Sequence, residues 1–442
     1  MSKRKNTGSM FFKAERPAKK KTPQAEVAVV IDKLSGEGRG MAFHNGKPLF
    51  IPNTLPGENV RAAITLDKRE YAEGQLRDII RAADERIPPR CELFGRCGGC
   101  DLQMLDYSAQ LEHKSLTLTR LLKKYIDGLS EPIVASPWHY RHRARFAVGE
   151  DNGKPVLGFK AANSHRVIAI AACTILDERL QPLFAKIPLW LDALENWRRI
   201  DEIRLAIDSH GKIALSWDAK RALSANDENL LIEFCEAEQI LCEEDAKLQY
   251  RVPSQNTTFD FSLDDFTQVN PAINDQLVAR ALAWLQPPSN ENIGDETIAD
   301  FFCGLGNFSL PLARHAKHVV GYEIDTAMVK RAAANASGVV NLEFRAADLY
   351  AGDAAIADVR ISDGYAAALL DPPRAGAKAL CERLSPIKTL RRIVYVSCNP
   401  QTLIRDIDIL VRGGFSVHRA ALVDMFPQTG HIEAIVSLQR DA

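Results

Sequence analysis

The stretch Thr297-Ile-Ala-Asp-Phe-Phe-Cys-Gly304-Leu-Gly306-Asn307-Phe308-Ser309 decides the fold of this chain. Its pattern predicts a β-strand that ends in a glycine turn and is followed by a helix. Gly304 and Gly306 allow the backbone to approach a ligand closely, but Ser309 stands where a dinucleotide-binding fingerprint has its third glycine. The turn therefore indicates a ligand site at a strand end, with a glycine motif shorter than that of a dinucleotide site.

The sequence around this turn alternates between strand-like and helix-like segments from about residue 270 onward. A helix is predicted over 272–286, and the predicted strands that follow are Ile298–Phe302, His318–Tyr322, Leu342–Phe344, Ala366–Leu370, Arg392–Val396 and Ile432–Leu438. This alternation predicts a doubly wound, Rossmann-like α/β domain over residues 269–442, with a mostly parallel sheet. In such domains ligands bind beyond the carboxyl ends of the strands.

Two acidic residues follow the next two strands of this predicted sheet. Glu323 comes 19 residues after Gly304 at a strand end, where a carboxylate can accept both hydroxyls of a ribose. Asp348 follows the third strand and can reach an adenine ring. S-adenosylmethionine carries a sulfonium and no phosphate, so a short glycine motif beside acids fits this cofactor better than NAD. The alternative is a glycine turn that serves packing alone.

Two more strand ends bring a cysteine to the same crevice. They are Leu369-Leu-Asp371-Pro-Pro-Arg374 and Val394-Tyr-Val-Ser-Cys398-Asn-Pro. Carbon 5 of uracil is a weak nucleophile, but a thiolate that adds to carbon 6 makes it reactive towards a sulfonium methyl group. This chemistry requires a cysteine of lowered pKa and a carboxylate that removes the carbon-5 proton.

Glu433 is the candidate base, because it opens the last predicted strand. Its alternative is a solvated strand end, and His431 is a rival base that is more typical of a loop. Gln268 has a flat amide that can bond to the edge of uracil or to the cofactor; the alternative role is a helix cap, which suits Asn270 better. Asp-Pro-Pro-x also occurs in enzymes that methylate exocyclic amines of bases, but there the next residue is usually aromatic, not arginine as at Arg374.

The chain contains nine cysteines. Cys91, Cys97 and Cys100 lie in an irregular segment, and with Cys173 they make a four-thiolate site for zinc or an iron–sulfur cluster, which spacing alone does not distinguish. We expect a reducing cytosol and hence no disulfides. The remaining cysteines are predicted to be buried packing residues, and they are Cys235, Cys242, Cys303 and Cys381.

The N-terminal half divides into two further predicted domains. Five short strands separated by turns, at Val27–Leu34, Met41–Phe43, Lys47–Ile51, Asn59–Leu66 and Tyr71–Ile80, predict a small OB-like β-barrel over 24–82. Residues 83–268 predict an α+β central domain with a helix over 108–126, helical stretches around 178–197 and 227–240, and a hairpin that turns at Ser209-His-Gly211. The whole chain is therefore predicted to be multidomain.

Charge is distributed unevenly along the chain. Residues 1–22 hold eight Lys or Arg and one acidic residue, a net +7, so the other 420 residues carry −8 of the total of −1. Residues 1–23 are predicted to be a disordered basic arm that contacts phosphates or only aids solubility. The arginines of Tyr140-Arg-His-Arg-Ala-Arg145 alternate, as in a phosphate-binding or salt-bridged strand face. No secretory signal or apolar span is found, so a cytoplasmic protein without a membrane partner is expected.

The motifs together resemble those of the RNA uracil-C5 methyltransferase family. Five segments carry the resemblance: Phe266-Thr-Gln-Val-Asn-Pro, Asp-Phe-Phe-Cys-Gly-Leu-Gly-Asn-Phe, Leu-Asp-Pro-Pro-Arg-Ala-Gly, Tyr-Val-Ser-Cys-Asn-Pro and Thr-Gly-His-Ile-Glu-Ala. The resemblance implies Cys398 as nucleophile and Glu433 as base. It also implies contacts with S-adenosylmethionine at Gln268, Phe302, Asn307, Glu323, Asp348 and Asp371.

The resemblance extends to the other domains. It implies a [4Fe-4S] cluster on Cys91, Cys97, Cys100 and Cys173, which would hold the RNA-facing shape of the central domain. Residues 24–82 are similar to a TRAM domain. Family members that act on tRNA generally lack both features, so the combination implies 23S ribosomal RNA as the substrate, with no DNA partner and a monomeric enzyme. A tRNA methyltransferase and a non-catalytic RNA-binding assembly factor are the alternatives.

Overall fold

The computed structural model describes residues 25–161, 166–242, 247–287, 292–350 and 364–440. The predicted basic arm over 1–23 lies outside these residues. No helix in the described ranges is long and apolar enough to cross a membrane.

The N-terminal domain is a six-stranded sheet in the order β1-β5-β6-β4-β3-β2. Its strands are β1 (Glu26–Val30), β2 (Lys33–Leu34), β3 (Gly40–His44), β4 (Lys47–Ile51), β5 (Asn59–Asp67) and β6 (Ala72–Arg81). The five predicted strands are present, but the first is divided, because the Ile31 N–H bonds to Glu58 and the Asp32 N–H bonds to Met41. The first predicted strand thus pairs with β5 as β1 and with β3 as β2, so this segment links the two edges of the sheet.

The middle of the chain forms an α+β unit, apart from β7, which joins the C-terminal sheet. Its elements are α1 (Tyr107–Leu122), β7 (Ser130–Ile133), β8 (Arg143–Asp151), β9 (Lys154–Lys160), β10 (Val167–Ala169), α2 (Leu183–Ala193), β11 (Ile200–Ile207), β12 (Ile213–Ala219), α3 (Ala225–Ala237), β13 (Ile240–Leu241), β14 (Leu248–Val252) and β15 (Thr257–Phe261). One sheet has the order β10-β9-β8-β11-β12-β13, and β14 and β15 form a hairpin. The helix predicted around 178–197 is shorter, because Pro182 precedes α2 and Leu194 is extended.

One cysteine prediction is wrong, because the structure joins Cys235 and Cys242 in a disulfide. Cys235 is buried in α3, as predicted, whereas Cys242 follows β13 and is half-buried. The chain reverses at Gln239, which has a left-handed backbone, and this turn brings the two Cα atoms within 6.0 Å. A disulfide bridges such a distance without further backbone movement.

The C-terminal domain is a sheet in the order β18-β17-β16-β19-β20-β22-β21-β7. Its elements are α4 (Pro271–Leu285), β16 (Thr297–Phe301), α5 (Ser309–Leu312), β17 (His318–Glu323), α6 (Thr326–Asn335), β18 (Leu342–Ala346), β19 (Ala367–Leu370), α7 (Lys378–Leu384), β20 (Arg392–Ser397), α8 (Pro400–Arg412), β21 (Phe415–Val423) and β22 (Glu433–Arg440). β22 runs antiparallel to β20 and β21, and the other pairs are parallel. The predicted doubly wound sheet is thus present.

Two strands extend this sheet beyond what the sequence predicts. β21 was not predicted, because His418 and Arg419 interrupt its apolar alternation at a register shift. β7 comes from the region expected to belong to the central domain, yet it pairs with β21. The order of the strands reverses between β16 and β19, and this reversal opens a crevice at their carboxyl ends.

Candidate active site

The glycine turn after β16 lies at this reversal of strand order. Phe302, Gly304 and Gly306 all have positive φ, of 64°, 54° and 91°. A Cβ atom on Gly306 would approach the Phe344 ring to 2.9 Å, so a larger residue does not fit there. Left-handed backbone at a non-glycine residue such as Phe302 is strained and is concentrated at functional sites.

Two predicted cofactor residues lie along the same edge of the sheet. Glu323 connects the ends of β16 and β17: one carboxylate oxygen accepts the Gly304 N–H at 3.2 Å and the other accepts the Ile324 N–H at 2.8 Å. Asp348 follows β18 and accepts the Tyr350 N–H at 2.9 Å. The ring of Tyr350 lies 5.5 Å from that of Phe302. Tyr350 was not predicted, although an aromatic residue two positions after Asp348 was a visible signal.

The remaining predicted cofactor residues come from the neighbourhood of α4 and from β19. The Gln268 amide donates to Asp371 at 3.3 Å, while the Asn270 side chain accepts the Ile273 N–H and caps α4. The helix-cap alternative for Gln268 is therefore excluded. Asn307 exchanges two side-chain hydrogen bonds with Asn274 of α4, at 2.8 and 2.9 Å. These contacts place Gln268, Asp371 and Asn307 around the glycine turn.

Cys398 and Glu433 lie close together at the ends of two paired strands. Ser397, the last residue of β20, is opposite Ala434 of β22, so Cys398 directly follows one strand where Glu433 begins the other. The charge of Glu433 acts on the Cys398 thiol, as expected for neighbouring groups. Glu433 is only 4% exposed, which excludes the solvated strand end considered above. His431, the rival base, is exposed on the preceding loop, and its ring contacts the Arg374 guanidinium at 3.3 Å.

The expected low pKa of the cysteine is not found. Burial, together with the negative charges of Glu433 and Asp371, raises the pKa of Cys398 to about 11, and Arg374 opposes this effect. Burial and the charge of Asp371 raise the pKa of Glu433 to about 8. The physical reason is that both groups lie in a poorly hydrated crevice whose charged neighbours are mainly carboxylates.

Two further acids make the crevice suited to a cation. Burial raises the pKa of Asp371 to about 7, and Gln268 opposes the shift by hydrogen bonding. Asp300 lies fully buried in β16, where burial raises its pKa to about 7 although Ser309 donates a hydrogen bond to it. Among the residues that the structure describes, one oxygen of Asp300 has no hydrogen-bond partner. A positively charged ligand would favour ionisation of these acids, so the residues present fit a sulfonium cofactor.

The four predicted cysteine ligands lie together on the central domain. Cys91, Cys97, Cys100 and Cys173 all line one cavity of about 440 Å³. Their loops are held by backbone contacts, because Gln103 accepts the Cys91 N–H and Gln181 accepts the Cys173 N–H, both at 3.0 Å. In the ranges the structure describes, no three His, Cys, Asp or Glu side chains are grouped closely enough to hold a single metal ion.

Arg141, Arg143 and Arg145 all line the cavity that also holds the four cysteines, and each has a partner within the protein. β8 begins only at Arg143, and its guanidinium donates to the Leu263 carbonyl at 2.7 Å and to Thr267 at 3.0 Å. Arg141 donates to the Arg143 carbonyl, and Arg145 lies 3.8 Å from Glu202. The guanidinium of Arg143 is thus hydrogen-bonded to the segment that precedes Gln268. Arg145 forms an ion pair with Glu202, as in the salt-bridged alternative.

The fold and the site define the class of the protein. A doubly wound sheet with an acid-lined glycine turn at its switch point is the arrangement of methyltransferases that use S-adenosylmethionine. Residues 106–441 match the model of the tRNA (Uracil-5-)-methyltransferase family, and the chain belongs to this family. Residues 20–76 match the model of the TRAM domain, as the barrel prediction anticipates.

Curated relatives resemble the chain over nearly its whole length. Those from Shewanella halifaxensis, Salmonella typhimurium and Pseudomonas putida are 36%, 35% and 37% identical over 97–98% of this chain and 98–100% of their own. Each is named 23S rRNA (uracil(1939)-C(5))-methyltransferase RlmD. The tRNA (uracil-54, C5)-methyltransferase of Pyrococcus abyssi, solved with S-adenosyl-L-homocysteine, shares the fold, with a TM-score of 0.72, 21% identity and coverage of 93% of this chain and 100% of its own.

Proposed function

We propose that this enzyme transfers a methyl group from S-adenosylmethionine to carbon 5 of a uridine in 23S ribosomal RNA. The observation that carries the proposal is the closeness of Cys398, directly after β20, to Glu433, the first residue of β22, at the edge of the sheet where the glycine turn lies. The substrate class is supported by the relatives, which match the chain from end to end and are named for 23S ribosomal RNA. We further propose that the enzyme is cytoplasmic, because its substrate is ribosomal RNA, and that it acts as a monomer, as the family resemblance implies.

The cofactor would be held by the residues around the glycine turn. Glu323 would accept hydrogen bonds from the ribose hydroxyls and Asp348 from the adenine, while Phe302, Asn307, Gln268 and Asp371 would line the remainder of the site. When bound, S-adenosylmethionine supplies an electrophilic methyl group and a positive charge. Positive charge in the crevice favours the thiolate of Cys398, as Arg374 already does.

The reaction would then proceed through a covalent adduct. The thiolate sulfur of Cys398 would add to carbon 6 of the uracil. The electron pair of the ring double bond would make carbon 5 the nucleophile that takes the methyl group, and the bond between sulfonium and methyl would break to leave S-adenosylhomocysteine. Glu433 next takes the proton from carbon 5, the double bond reforms, and the bond between sulfur and carbon 6 breaks. The target base must leave its stack to reach Cys398.

The four-cysteine site is proposed to hold a [4Fe-4S] cluster. Around one zinc ion the ligand sulfurs lie only about 3.8 Å apart, since each Zn–S bond is about 2.3 Å. In a cluster each sulfur binds a different iron, so its cysteines are spaced more widely. Four cysteines around one cavity of about 440 Å³ supply the four thiolates and the space that such a cluster needs.

Iron analysis tests this cluster. Protein purified without oxygen is expected to be brown and to contain about four iron and four sulfide per chain. Cys100→Ser is expected to lose most of the iron, while Cys381→Ser, at a buried cysteine of α7 away from the cavity, is expected to keep it. Zinc in place of iron, or iron retained in Cys100→Ser, would contradict the cluster.

Mapping of 5-methyluridine in 23S ribosomal RNA tests the function. Cells that lack the gene are expected to lose the modification at one uridine completely and to regain it when the gene is restored. A 23S RNA that keeps all its 5-methyluridine would refute the proposal. Loss of a methylated exocyclic amine instead would favour chemistry at Asp371-Pro-Pro-Arg374, and tight RNA binding without any methylation would favour an assembly factor.

A further inference from the structure

The segment from Asp424 to Ile432, here called the base loop, joins β21 to β22, whose first residue is Glu433. It is not a solvated connection. Asp424 and Gln428 are 1% and 2% exposed, and Gln428 has a left-handed backbone with φ of 67°. Buried polar groups require fixed partners, so the position of the loop depends on what binds them.

The partners lie on α1, the helix that precedes β7. Four of its side chains, Gln110, Lys114, Leu118 and Leu122, are buried at a spacing of four residues and form one face. Leu118 and Leu122 belong to the apolar core. Gln110 and Lys114 are equally buried but polar, and both contact the base loop.

These contacts fix the loop at two points. The Gln110 amide pairs with Gln428, accepting its backbone N–H at 3.1 Å and donating to its side-chain oxygen at 3.0 Å. Lys114 donates to Asp424 at 2.6 Å and to the Phe426 carbonyl at 3.1 Å, and Tyr107 donates to the other oxygen of Asp424 at 2.8 Å. Both anchors are therefore satisfied within the protein.

Other parts of the chain confine the loop from the opposite sides. The N–H groups of Asp101 and Leu102 donate to the Gln428 carbonyl at 2.9 and 3.0 Å, directly after the cysteine segment. A Cβ atom on Gly430 would come within 2.2 Å of the Glu37 carbonyl oxygen of the N-terminal barrel. Three regions thus meet at a loop only a few residues long.

We infer that Gln110 and Lys114 are positioning residues that hold Glu433 in place for removal of the carbon-5 proton. Cys398 directly follows β20, and neither residue contacts that strand by hydrogen bond in the described structure. Displacement of the base loop should therefore slow the final elimination more than the addition and methyl transfer before it. The inference rests on the proposed function.

The matched pair Gln110→Met and Leu118→Val tests it. Methionine keeps the length of glutamine and removes the amide, whereas Leu118→Val loosens the same helix face without touching the loop. In a single turnover with RNA tritiated at carbon 5, Gln110→Met is expected to release tritium at least tenfold more slowly, while methyl incorporation changes less than threefold. A methylated protein–RNA adduct that survives denaturation should accumulate. Leu118→Val should lower Tm and accumulate no adduct.

The outcomes separate the inference from the function. If Gln110→Met slows methyl incorporation and tritium release equally and leaves no adduct, or if Leu118→Val gives the same adduct, the positioning role is wrong. Should Gln110→Met fail to fold, Tyr107→Phe is the substitute, because it removes only the hydroxyl that binds Asp424. It is expected to slow tritium release in the same way, by a smaller factor. If the wild type itself transfers no methyl group to 23S ribosomal RNA, the proposed function fails instead.

Discussion

Cys398→Ala is expected to reduce methyl transfer to 23S ribosomal RNA by at least about a thousandfold, because the uracil ring is then not activated. The sulfur must form a bond to carbon 6 before carbon 5 can attack the methyl group, and alanine leaves no nucleophile at that strand end. Cofactor binding should persist, because the acids of the glycine turn remain. Transfer of tritiated methyl groups to RNA from cells without the gene measures the effect, and calorimetry with S-adenosylhomocysteine checks the cofactor site.

Cys381→Ala is the matched control for this variant. Its thiol lies buried in α7, so it loses a similar volume of side chain away from the crevice. Methyl transfer should remain within about threefold of the wild type, since core truncations act on stability rather than on the reacting atoms. Retained turnover in Cys398→Ala would contradict the covalent mechanism and would favour methylation of an exocyclic amine through Asp371-Pro-Pro-Arg374.

Glycine and proline residues at turns made much of the fold predictable. The glycine turn after β16, the prolines after Asp371 and Cys398, and the Asn45-Gly46 turn mark strand ends that depend on backbone chemistry within a few residues. Because parallel strands end at a common edge, the residues after them meet in one crevice. Asp371 and Cys398 could therefore be brought together without coordinates, whereas Glu433 joins them because β22 runs antiparallel and begins at the same edge.

What the sequence did not predict depends on contacts between distant segments. β21 was hidden by His418 and Arg419, and β7 joins the C-terminal sheet from more than 130 residues earlier in the chain. The disulfide depends on a reversal at Gln239. The pKa of Cys398 depends on burial beside two carboxylates, which a motif does not reveal. Gln110 on the buried face of α1 was visible only as a polar residue in an apolar stripe.

Glu433→Gln is expected to trap the reaction after methyl transfer. Glutamine keeps the shape of the side chain but does not accept the carbon-5 proton, so the bond between Cys398 and carbon 6 persists. Turnover should fall at least about a hundredfold, the usual range for a lost general base. The product should be a methylated protein–RNA adduct, seen as a band that resists denaturation and carries label from the methyl group.

The pH dependence provides an independent measurement of the same carboxylate. The pKa of Glu433 is raised to about 8, so its carboxylate is mostly protonated at pH 6, and release of the carbon-5 hydrogen by the wild type should increase between pH 6 and 8. The same substitution removes a negative charge beside Cys398, whose pKa of about 11 should fall. Alkylation of Cys398 by iodoacetamide, followed by mass spectrometry, should then begin at lower pH in Glu433→Gln than in the wild type. An unshifted alkylation profile together with full turnover would place the proton acceptor elsewhere, with His431 the next residue to replace.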